Sequence, residues 1–398
     1  MGPRSISVTL TLSSDQYQKR LPEALLRRGM LRRVLRVGPD LQVLDPTQTG
    51  ALEVVRSFRS YRVMNRLLWG AWRRLPGTGC SHMPMAAGCW IADRWASRHV
   101  QTNGIFHGLT GVSLASLQKA KRQGALTILE SPMVHLHQWQ EQVLAECNHF
   151  GVKPRNCGAI LPIPIMHRAQ REYEVCDRIQ VLSSVARRSF ERRGYPHKTV
   201  VIWPGVDHFF YRPSVEPRPP RLFRACYVGR VELAKGIGYL LEAWKRLALP
   251  NAELLLVGEI RPEMDFLLRG CAGANVRLAG ILPPEEVAKS YRESSLLVFP
   301  SVNEGFGLVL LEAMASGLPV AATDASGAED CITQGKDGFV VPARNVDALA
   351  ETILWYFRHR DETLAMGRAA RVKVEQQFTL SHYEERQVAL YRSYANGG

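Results

Sequence analysis

The second half of the chain alternates short apolar runs with longer segments of helical periodicity, and this alternation restricts the fold more than any other feature. Apolar runs of about four to seven residues predict buried strands, and longer segments with apolar positions three and four apart predict helices. This pattern is typical of a parallel, doubly wound sheet. Predicted strands lie within 221–231, 251–260, 275–280, 296–301 and 318–323, and predicted helices within 236–247, 262–272, 283–291, 306–316 and 346–358, with two more helices near the end of the chain.

The first half shows the same alternation less regularly. Four prolines between residues 208 and 221 predict a stiff connector after it. The predicted strands of the first half lie within 6–12, 104–108, 125–131, 178–184 and 198–207, and a predicted helix within 18–31 contains Pro22. The sequence therefore predicts an α/β protein with two Rossmann-like, doubly wound domains that face each other across a cleft: an N-terminal domain over 1–207, a linker over 208–221 and a C-terminal domain over 222–380.

The positive charge is concentrated in the first half. Residues 1–200 contain 29 lysines and arginines against 13 aspartates and glutamates, whereas the remaining residues contain 22 against 24. Such an excess favours an anionic partner such as membrane headgroups, a lipid diphosphate or nucleic acid. A solvated arginine-rich face explains the charge equally well. No RNP, KH, helix-turn-helix or zinc-finger signature supports nucleic-acid binding.

The cysteines and the hydropathy predict a cytosolic protein. The eight cysteines form no C-x-x-C pair, which favours reduced thiols over a zinc site or a disulfide framework. No apolar run approaches the roughly 18 residues of a transmembrane helix, and the first residues lack the apolar core of a signal peptide. We expect a cytoplasmic location, with peripheral binding to the inner face of the cytoplasmic membrane left open.

The segment YVGRVELAKG (227–236) places Arg230 directly after a predicted strand and Lys235 directly before a predicted helix. A strand–loop–helix of this kind presents backbone N–H groups and two cations to an anion. It is not a P-loop, because G-x-x-x-x-G-K-[ST] is absent. Two solvated loop charges remain the alternative.

The segment NEGFGLVLLEA contains two carboxylates, Glu304 and Glu312, around a predicted helix start. Gly305 and Gly307 permit close backbone approach of a ligand, and a helix N-terminus favours an anion. Eight helical residues would rise about 12 Å, the separation of the two sugars in a nucleotide diphosphate-sugar. Each carboxylate is then expected to bind a diol. The alternatives are a capping acid at Glu304 and a solvated helix residue at Glu312.

These segments, together with LAGILPPEEVAKSY and GKDGFVVPARNVDALA, resemble the C-terminal domain of glycosyltransferase family 4. The similarity is dense over 223–345, extends over about 170–390 and is loose over 100–170. The resemblance implies the GT-B fold, with a C-terminal helix over 381–398 that crosses back to the N-terminal domain. It also implies a retaining hexosyltransferase-type enzyme that needs no cofactor or metal ion.

The family resemblance also implies roles for individual residues. Arg230 and Lys235 would hold the donor diphosphate, and Glu304 would bind the transferred sugar beside the N–H groups of Gly305, Phe306 and Gly307. Glu312 would bind the ribose, and the backbone from Gly280 to Leu282 would frame the base. Whether the donor nucleotide is UDP, GDP or ADP is left open.

The N-terminal side departs from the family pattern. The stretch SSDQYQ (13–18) replaces the usual glycine-rich loop, and Glu130 occupies the position of a usual histidine. The catalytic candidates there, in order, are Glu130, His135 and His107, with His137 as a further histidine near the second. A hydrogen-bonded structural imidazole is the alternative for each histidine.

Residues 56–77 alternate arginines with aromatic and aliphatic residues. They predict either a basic amphipathic helix at a membrane interface or a surface helix packed on the domain. The function expected from the whole sequence is sugar transfer from a nucleotide diphosphate-sugar to a glycan or lipid-linked acceptor in the synthesis of a surface polysaccharide or glycolipid. A catalytically silent, membrane-associated scaffold is the alternative, followed by a nucleic-acid-binding protein.

Overall fold

Two parallel β-sheets, each covered by helices, make up the computed structural model, which describes residues 6–12, 20–36, 55–57, 83–214, 222–271 and 273–395. Every strand pair in these ranges is parallel. The two-domain α/β architecture predicted from the alternation is therefore confirmed. Elements are numbered below in chain order within the described residues.

The N-terminal sheet has seven strands in the order β3-β2-β1-β4-β5-β6-β7. The strands are β1 (Val8–Leu12), β2 (Leu31–Arg36), β3 (Val55–Ser57), β4 (Ile105–Leu109), β5 (Leu126–Ser131), β6 (Arg178–Val181) and β7 (Thr199–Val201). The helices are α1 (Leu21–Arg27), α2 (Met83–His99), α3 (Leu114–Arg122), α4 (Leu136–His149), α5 (Ile163–Val175) and α6 (Ser184–Glu191).

The C-terminal sheet has six strands in the order β10-β9-β8-β11-β12-β13. The strands are β8 (Phe223–Val228), β9 (Ala252–Val257), β10 (Val276–Gly280), β11 (Leu296–Phe299), β12 (Val320–Thr323) and β13 (Gly338–Val341). The helices are α7 (Ile237–Leu247), α8 (Asp265–Arg269), α9 (Pro284–Glu293), α10 (Leu308–Ala315), α11 (Ala328–Cys331), α12 (Val346–Arg358), α13 (Arg360–Gln377) and α14 (Leu380–Ala395).

Local chemistry explains where the helices differ from the sequence-based expectation. Pro22 lies in the first turn of α1, where its missing N–H would have no partner within the helix. The helix predicted over 262–272 is instead a 3₁₀ turn at Pro262–Met264 followed by the five residues of α8. The helix after Glu304 begins only at Leu308, because Gly307 has a left-handed φ of 90°.

Each sheet has a point where successive strands are added on opposite sides. In the C-terminal sheet this point lies between β8 and β11, and in the N-terminal sheet it lies between β1 and β4. Loops that leave such a pair of strands diverge and open a crevice at the carboxyl ends, where doubly wound proteins bind ligands. The loop after β1, which contains the predicted 13–18 stretch, lies outside the described residues.

The chain passes between the domains twice, and the two passages lie side by side. Val206, on the first passage, donates its N–H to the carbonyl of Phe378 on the second at 2.8 Å, and Val206 also forms a parallel bridge with Thr379. After the first passage, residues 208–214 pack on the C-terminal domain, where Arg371 donates to the carbonyls of His208 and Tyr211. The rest of the predicted linker, 215–221, lies outside the described residues.

Helix α14 crosses back to the N-terminal sheet and covers a buried polar network. Tyr391 and Gln387 reach from α14 to His107 (Tyr391 Oη to Nδ1, 2.6 Å) and to Gln180 (Nε2 to Oε1, 2.9 Å). Glu130 lies between these two strand residues, with one carboxylate oxygen 3.3 Å from His107 Nε2 and 3.3 Å from Gln180 Nε2. Hydrogen bonds in such a buried place position the helix specifically, because an alternative packing would leave polar atoms without partners.

Most of the predicted basic amphipathic segment, 58–77, lies outside the described residues, and Arg56 and Ser57 belong to β3. None of the helices in the described part of the chain is both long enough and apolar enough to span a bilayer.

Replacing Tyr391 with phenylalanine is expected to lower the free energy of unfolding by about 1–3 kcal/mol, because it leaves a buried ring nitrogen of His107 without its hydroxyl partner. Urea denaturation followed by tryptophan fluorescence measures the change. Tyr394→Phe, on the same helix but only half-buried, is the matched control and should change stability far less. Equal stability of the Tyr391 variant and the wild type would contradict the role given to this network.

Candidate active site between the two domains

A pocket of about 260 Å³ lies at the crevice between β8 and β11. The C-terminal domain supplies most of its lining, from the end of β8, the loop after β11 and the first residues of α10. The N-terminal domain contributes Pro132 and Leu182. The lining thus combines residues of both domains at the place where the sheet topology predicts a ligand.

Lys235 reaches this pocket because of a tight turn. It ends the 3₁₀ turn Leu233–Lys235, and Gly236 then adopts a φ of 67° to begin α7. A Cβ atom at Gly236 would lie 1.9 Å from the carbonyl oxygen of Pro300, so only glycine allows this approach. The loops after β8 and β11 are thereby held against each other.

Lys235 and Glu304 form an ion pair in the pocket. The ammonium nitrogen also lies 6.0 Å from the centre of the Trp139 ring, which comes from α4 of the N-terminal domain. The two side chains are only 13% and 17% exposed, so water screens their charges weakly. The pair offers a cation to an anionic group and a carboxylate to hydroxyl groups a few ångströms apart.

Arg230, predicted beside Lys235, lies elsewhere. Its guanidinium contacts the buried carboxylate of Glu232 at 3.3 Å and is 43% exposed, and it is not among the residues that line the pocket. The Tyr227 hydroxyl donates to its backbone carbonyl at 2.8 Å, which fixes the backbone while the side chain faces Glu232. The structure therefore brings only Lys235 of the two predicted cations to Glu304.

The loop that contains Glu304 is clamped by the N-terminal domain. A Cβ atom at Gly305 would lie 1.8 Å from the carbonyl oxygen of Pro132, so the two backbones touch. The hydroxyl of Ser183 donates to the carbonyl of Gly305, and the side-chain amide of Asn303 donates to the carbonyl of Trp139 at 3.2 Å. Sequence reasoning missed Ser183 and Asn303 as binding partners, although their polar character at strand ends was a signal.

The remaining loop residues lie as the sequence suggests at the start of α10. Phe306 is buried and lines the pocket with Gly307, while the N–H of Gly305 points to the Glu304 carboxylate at 3.3 Å. Gly280 lies at the end of β10, where its carbonyl accepts from Gly258 at 2.7 Å, outside the lining of the pocket. Leu282 follows on the surface of the core, partly buried.

Glu312 does not line the pocket. The estimate of about 12 Å between Glu304 and Glu312 assumed eight helical residues, and this assumption is wrong. Only the residues from Leu308 onward are helical, so the first half of the interval is a loop. The Glu312 carboxylate accepts hydrogen bonds from the hydroxyls of Tyr291 and Tyr211. Burial raises its pKa, while these hydrogen bonds act in the opposite direction. Glu312 is thus half-buried, and its carboxylate is held by these two hydroxyls.

Two of the N-terminal catalytic candidates lie together, but away from Lys235. Glu130 and His107 belong to the buried network under α14, where their described contacts are with Gln180 and Tyr391. Glu130 lies near the end of β5 as predicted, but His107 is the middle residue of β4 and not at a strand end. The direction of each side chain relative to the two faces of the sheet depends on packing against α14, which is distant in sequence.

His135 lies inside the helical layer of the N-terminal domain. It caps α4 by accepting the N–H of His137 at 3.2 Å, and its ring packs against Tyr173, Phe190 and Tyr195. Burial lowers its pKa to about 4, so the ring is neutral near pH 7. The structural alternative given above describes this histidine, and His137 is its half-buried neighbour.

Buried acidic residues also lie beside the loop at the switch point of the N-terminal sheet. Glu172 accepts the backbone N–H groups of Gly111 and Ser113 in the loop after β4, and Arg168 pairs with Asp93 beside it. Burial raises the pKa of Glu172 to about 7. These contacts give a fixed shape to the loop at the N-terminal switch point. Among the described residues, no group of three or more histidine, cysteine or acidic side chains is arranged to hold a metal ion.

The architecture matches solved structures of other proteins over nearly the whole chain. Sucrose-phosphate synthase from Thermosynechococcus elongatus aligns with a TM-score of 0.69 at 19% identity, over 99% of this chain and 100% of that one. The Anabaena protein HepE in complex with UDP aligns with a TM-score of 0.65 at 15% identity, over 98% and 100%. The fold is therefore GT-B, as the resemblance implied.

The family match lies within the C-terminal domain. Residues 223–359 match the family described as "Glycosyl transferases group 1", which confirms the resemblance for this part of the chain. A D-inositol 3-phosphate glycosyltransferase of Corynebacterium urealyticum is 28% identical over 259 residues, which is 57% of this chain and 61% of that protein. The chain thus spans about three fifths of this curated relative. Assignment to family 4 in particular stays a prediction.

The wild-type protein is expected to lose stability as the pH falls from about 6.5 towards 4, because His135 binds a proton in the unfolded state more readily than in the folded one. His135→Asn keeps a capping acceptor but cannot titrate in this range. Melting temperatures at pH 7 and pH 5 test this: the wild type should fall further than the variant. Equal falls would show that His135 is not buried in its neutral form.

Gly305→Ala is expected to separate the loop from Pro132, because the new methyl group overlaps a backbone oxygen that cannot move alone. Small-angle X-ray scattering should report a larger radius of gyration. Gly158→Ala is the matched control, since its Cβ would meet only Arg261, also across the domain interface, at an ordinary 3.6 Å. An unchanged scattering curve for Gly305→Ala would contradict the clamp.

Proposed function

We propose that the protein is a glycosyltransferase that moves a sugar from a nucleotide diphosphate-sugar to an acceptor. The observation that carries the proposal is the Lys235–Glu304 pair in a pocket at the switch point between β8 and β11. The pair belongs to the segment that matches the group 1 glycosyltransferases. The structures of HepE with UDP and with UDP-glucose support a uridine nucleotide as the first donor to test.

Lys235 is the proposed diphosphate-binding residue. When the bond between the anomeric carbon and the β-phosphate oxygen breaks, negative charge grows on the leaving diphosphate. A cation fixed beforehand in a site of low exposure stabilises that charge without reorganisation. Arg230 joins this role only if its guanidinium leaves Glu232, which a rotation of an exposed side chain permits.

Glu304 is the proposed sugar-binding residue. Its carboxylate accepts hydrogen bonds from sugar hydroxyls and so positions the ring beside the N–H groups at the start of α10. The ion pair with Lys235 then places sugar and diphosphate next to each other. Glu312 is proposed to bind the ribose, a role in which the nucleotide hydroxyls would share its carboxylate with Tyr211 and Tyr291.

The acceptor hydroxyl is proposed to attack the same face that the diphosphate leaves, with retention of configuration. Its proton passes to the leaving phosphate oxygen, so that no protein base is required. Closure of the domains at Gly305 and Pro132 is proposed to exclude water and so to limit hydrolysis of the donor. The reaction is proposed to need no cofactor and no metal ion, because Lys235 supplies the positive charge.

The acceptor is proposed to be a glycan or a lipid-linked sugar, as in the synthesis of a surface polysaccharide or glycolipid. One relative, 29% identical over 42% of this chain, is a capsular polysaccharide biosynthesis glycosyltransferase of Staphylococcus aureus. The excess of lysine and arginine in residues 1–200 supports an acceptor or surface with negative charge. We propose a cytoplasmic location with peripheral membrane contact.

Lys235→Ala is expected to weaken binding of UDP and of UDP-glucose alike, by about 10- to 100-fold, because each loses a charge-assisted hydrogen bond. Glu304→Gln is expected to weaken UDP-glucose binding while UDP, which lacks the sugar, binds nearly as before. Isothermal titration calorimetry measures both, with GDP- and ADP-glucose as parallel donors.

Lys289→Ala, an exposed lysine of α9 paired with Glu286, is the control and should bind as the wild type does. If both site variants bind with wild-type affinity, the assignment of Lys235 and Glu304 to the donor site is wrong. Donor binding without any transfer to glycan or lipid-linked acceptors would favour the silent scaffold instead.

A further inference from the structure

Trp139, a residue of the N-terminal domain, faces the proposed diphosphate-binding lysine of the C-terminal domain. Its ring centre lies 6.0 Å from the ammonium nitrogen of Lys235, and helix α4, which contains Trp139, packs on the 3₁₀ turn that ends at Lys235. The face of an indole ring is partly negative and attracts a cation at this distance. Trp139 is not among the residues that line the donor pocket, so a nucleotide there would meet Lys235 and not the indole.

Both domains fix the position of this indole. Only 4% of Trp139 is exposed, and its ring N–H donates to the carbonyl of Ala159 at 3.1 Å within the N-terminal domain. Its backbone carbonyl accepts the side-chain amide of Asn303, a residue of the C-terminal domain, at 3.2 Å. Because Asn303 directly precedes Glu304, the loop that carries the carboxylate also contacts the helix that carries the ring.

The ammonium of Lys235 has two contacts within the described part of the chain. One is the carboxylate of Glu304, and the other is the face of Trp139. A lysine side chain has many rotamers, and those that point away from the pocket lower the fraction of molecules ready to bind an anion. The carboxylate and the ring together restrict these rotamers. When Glu304 turns to the hydroxyls of a sugar, the ring is the contact that stays with the ammonium.

We propose that Trp139 is a positioning residue that keeps the ammonium of Lys235 directed into the donor pocket. The inference rests on the proposed function, in which Lys235 binds the diphosphate. The ring reaches the lysine across the contact between the domains. The N-terminal domain thus contributes to binding of the diphosphate without touching the nucleotide at this residue.

Two substitutions of Trp139 separate the ring from its hydrogen bond. Trp139→Phe and Trp139→Leu both lose the bond to Ala159, but only phenylalanine presents an aromatic face to the ammonium. Isothermal titration calorimetry with UDP, and with GDP and ADP in parallel, measures the difference. Trp139→Leu should bind the nucleotide at least about threefold more weakly than Trp139→Phe, because the lysine must be ordered during binding.

The same two substitutions in the Lys235→Ala background show whether the ring acts through the lysine. Without the ammonium, the phenylalanine and leucine variants should bind the nucleotide with equal affinity, because no cation remains for the ring to position. A purely structural role of Trp139 would instead give the same ratio of affinities with and without Lys235.

Trp244→Leu is the matched control. Trp244 is also 4% exposed and donates its ring N–H to the carbonyl of Ala274 at 2.8 Å, but it lies in α7 and does not line the donor pocket. Its loss should lower the melting temperature and leave the nucleotide affinity unchanged. If circular dichroism shows that Trp139→Leu does not fold, Trp139→Met takes its place, because the unbranched side chain fills irregular space.

The outcomes distinguish this inference from the proposed function. If the wild type binds none of the three nucleotides, or if Lys235→Ala binds them as tightly as the wild type, the donor site is wrong and the role of Trp139 falls with it. Weaker binding by Lys235→Ala supports the donor site. If the two variants of Trp139 then bind equally, or differ by the same factor with and without Lys235, the role of Trp139 alone is overturned.

Discussion

The contact between Gly305 and Pro132 is the constraint on which the rest of the site depends. Two backbones from different domains touch there, and no side chain fits between them. Because Glu304 precedes Gly305, the position of the carboxylate depends on the relative position of the two domains. Lys235 is fixed to the same loop by the close approach of Gly236 to Pro300. The pocket is thus a property of the pair of domains and not of either one.

The polar network under α14 holds this C-terminal helix on the N-terminal domain. Glu130 and His107 are buried beneath the helix that ends the described chain, and a shift of this helix would take Tyr391 from His107 and Gln387 from Gln180. Charged and polar groups in this position cost free energy when they lose their partners. They favour one docking of α14 over other dockings of similar apolar area.

Much of the architecture could be predicted from the sequence, because alternating apolar runs and helical periods are local signals. Bounds such as those of α12, Val346–Arg358, match the prediction to the residue. The family resemblance placed Lys235 and Glu304 in one donor site, and the structure brings them together because both follow strands that meet at a switch point. The orientation of Arg230 was not predictable, because it depends on one buried carboxylate, Glu232, that local spacing does not reveal.

The remaining differences have the same physical origin. The direction of Glu130 and the burial of His135 are set by helices distant in sequence, and hydrophobic periodicity carries no information on such contacts. Ser183 and Asn303 form their interdomain bonds through single side-chain atoms. A polar residue at a strand end indicates a binding site, but the sequence does not show which domain the side chain will contact.

The two passages between the domains have a mechanical consequence. They are joined at Val206 and Phe378, so the domains are connected along one line rather than at two separated points. Bodies joined along one line turn about it more easily than they slide or separate. The covalent connection therefore resists separation of the domains near Val206, while the facing loops are held to each other only by noncovalent contacts such as that of Gly305 with Pro132.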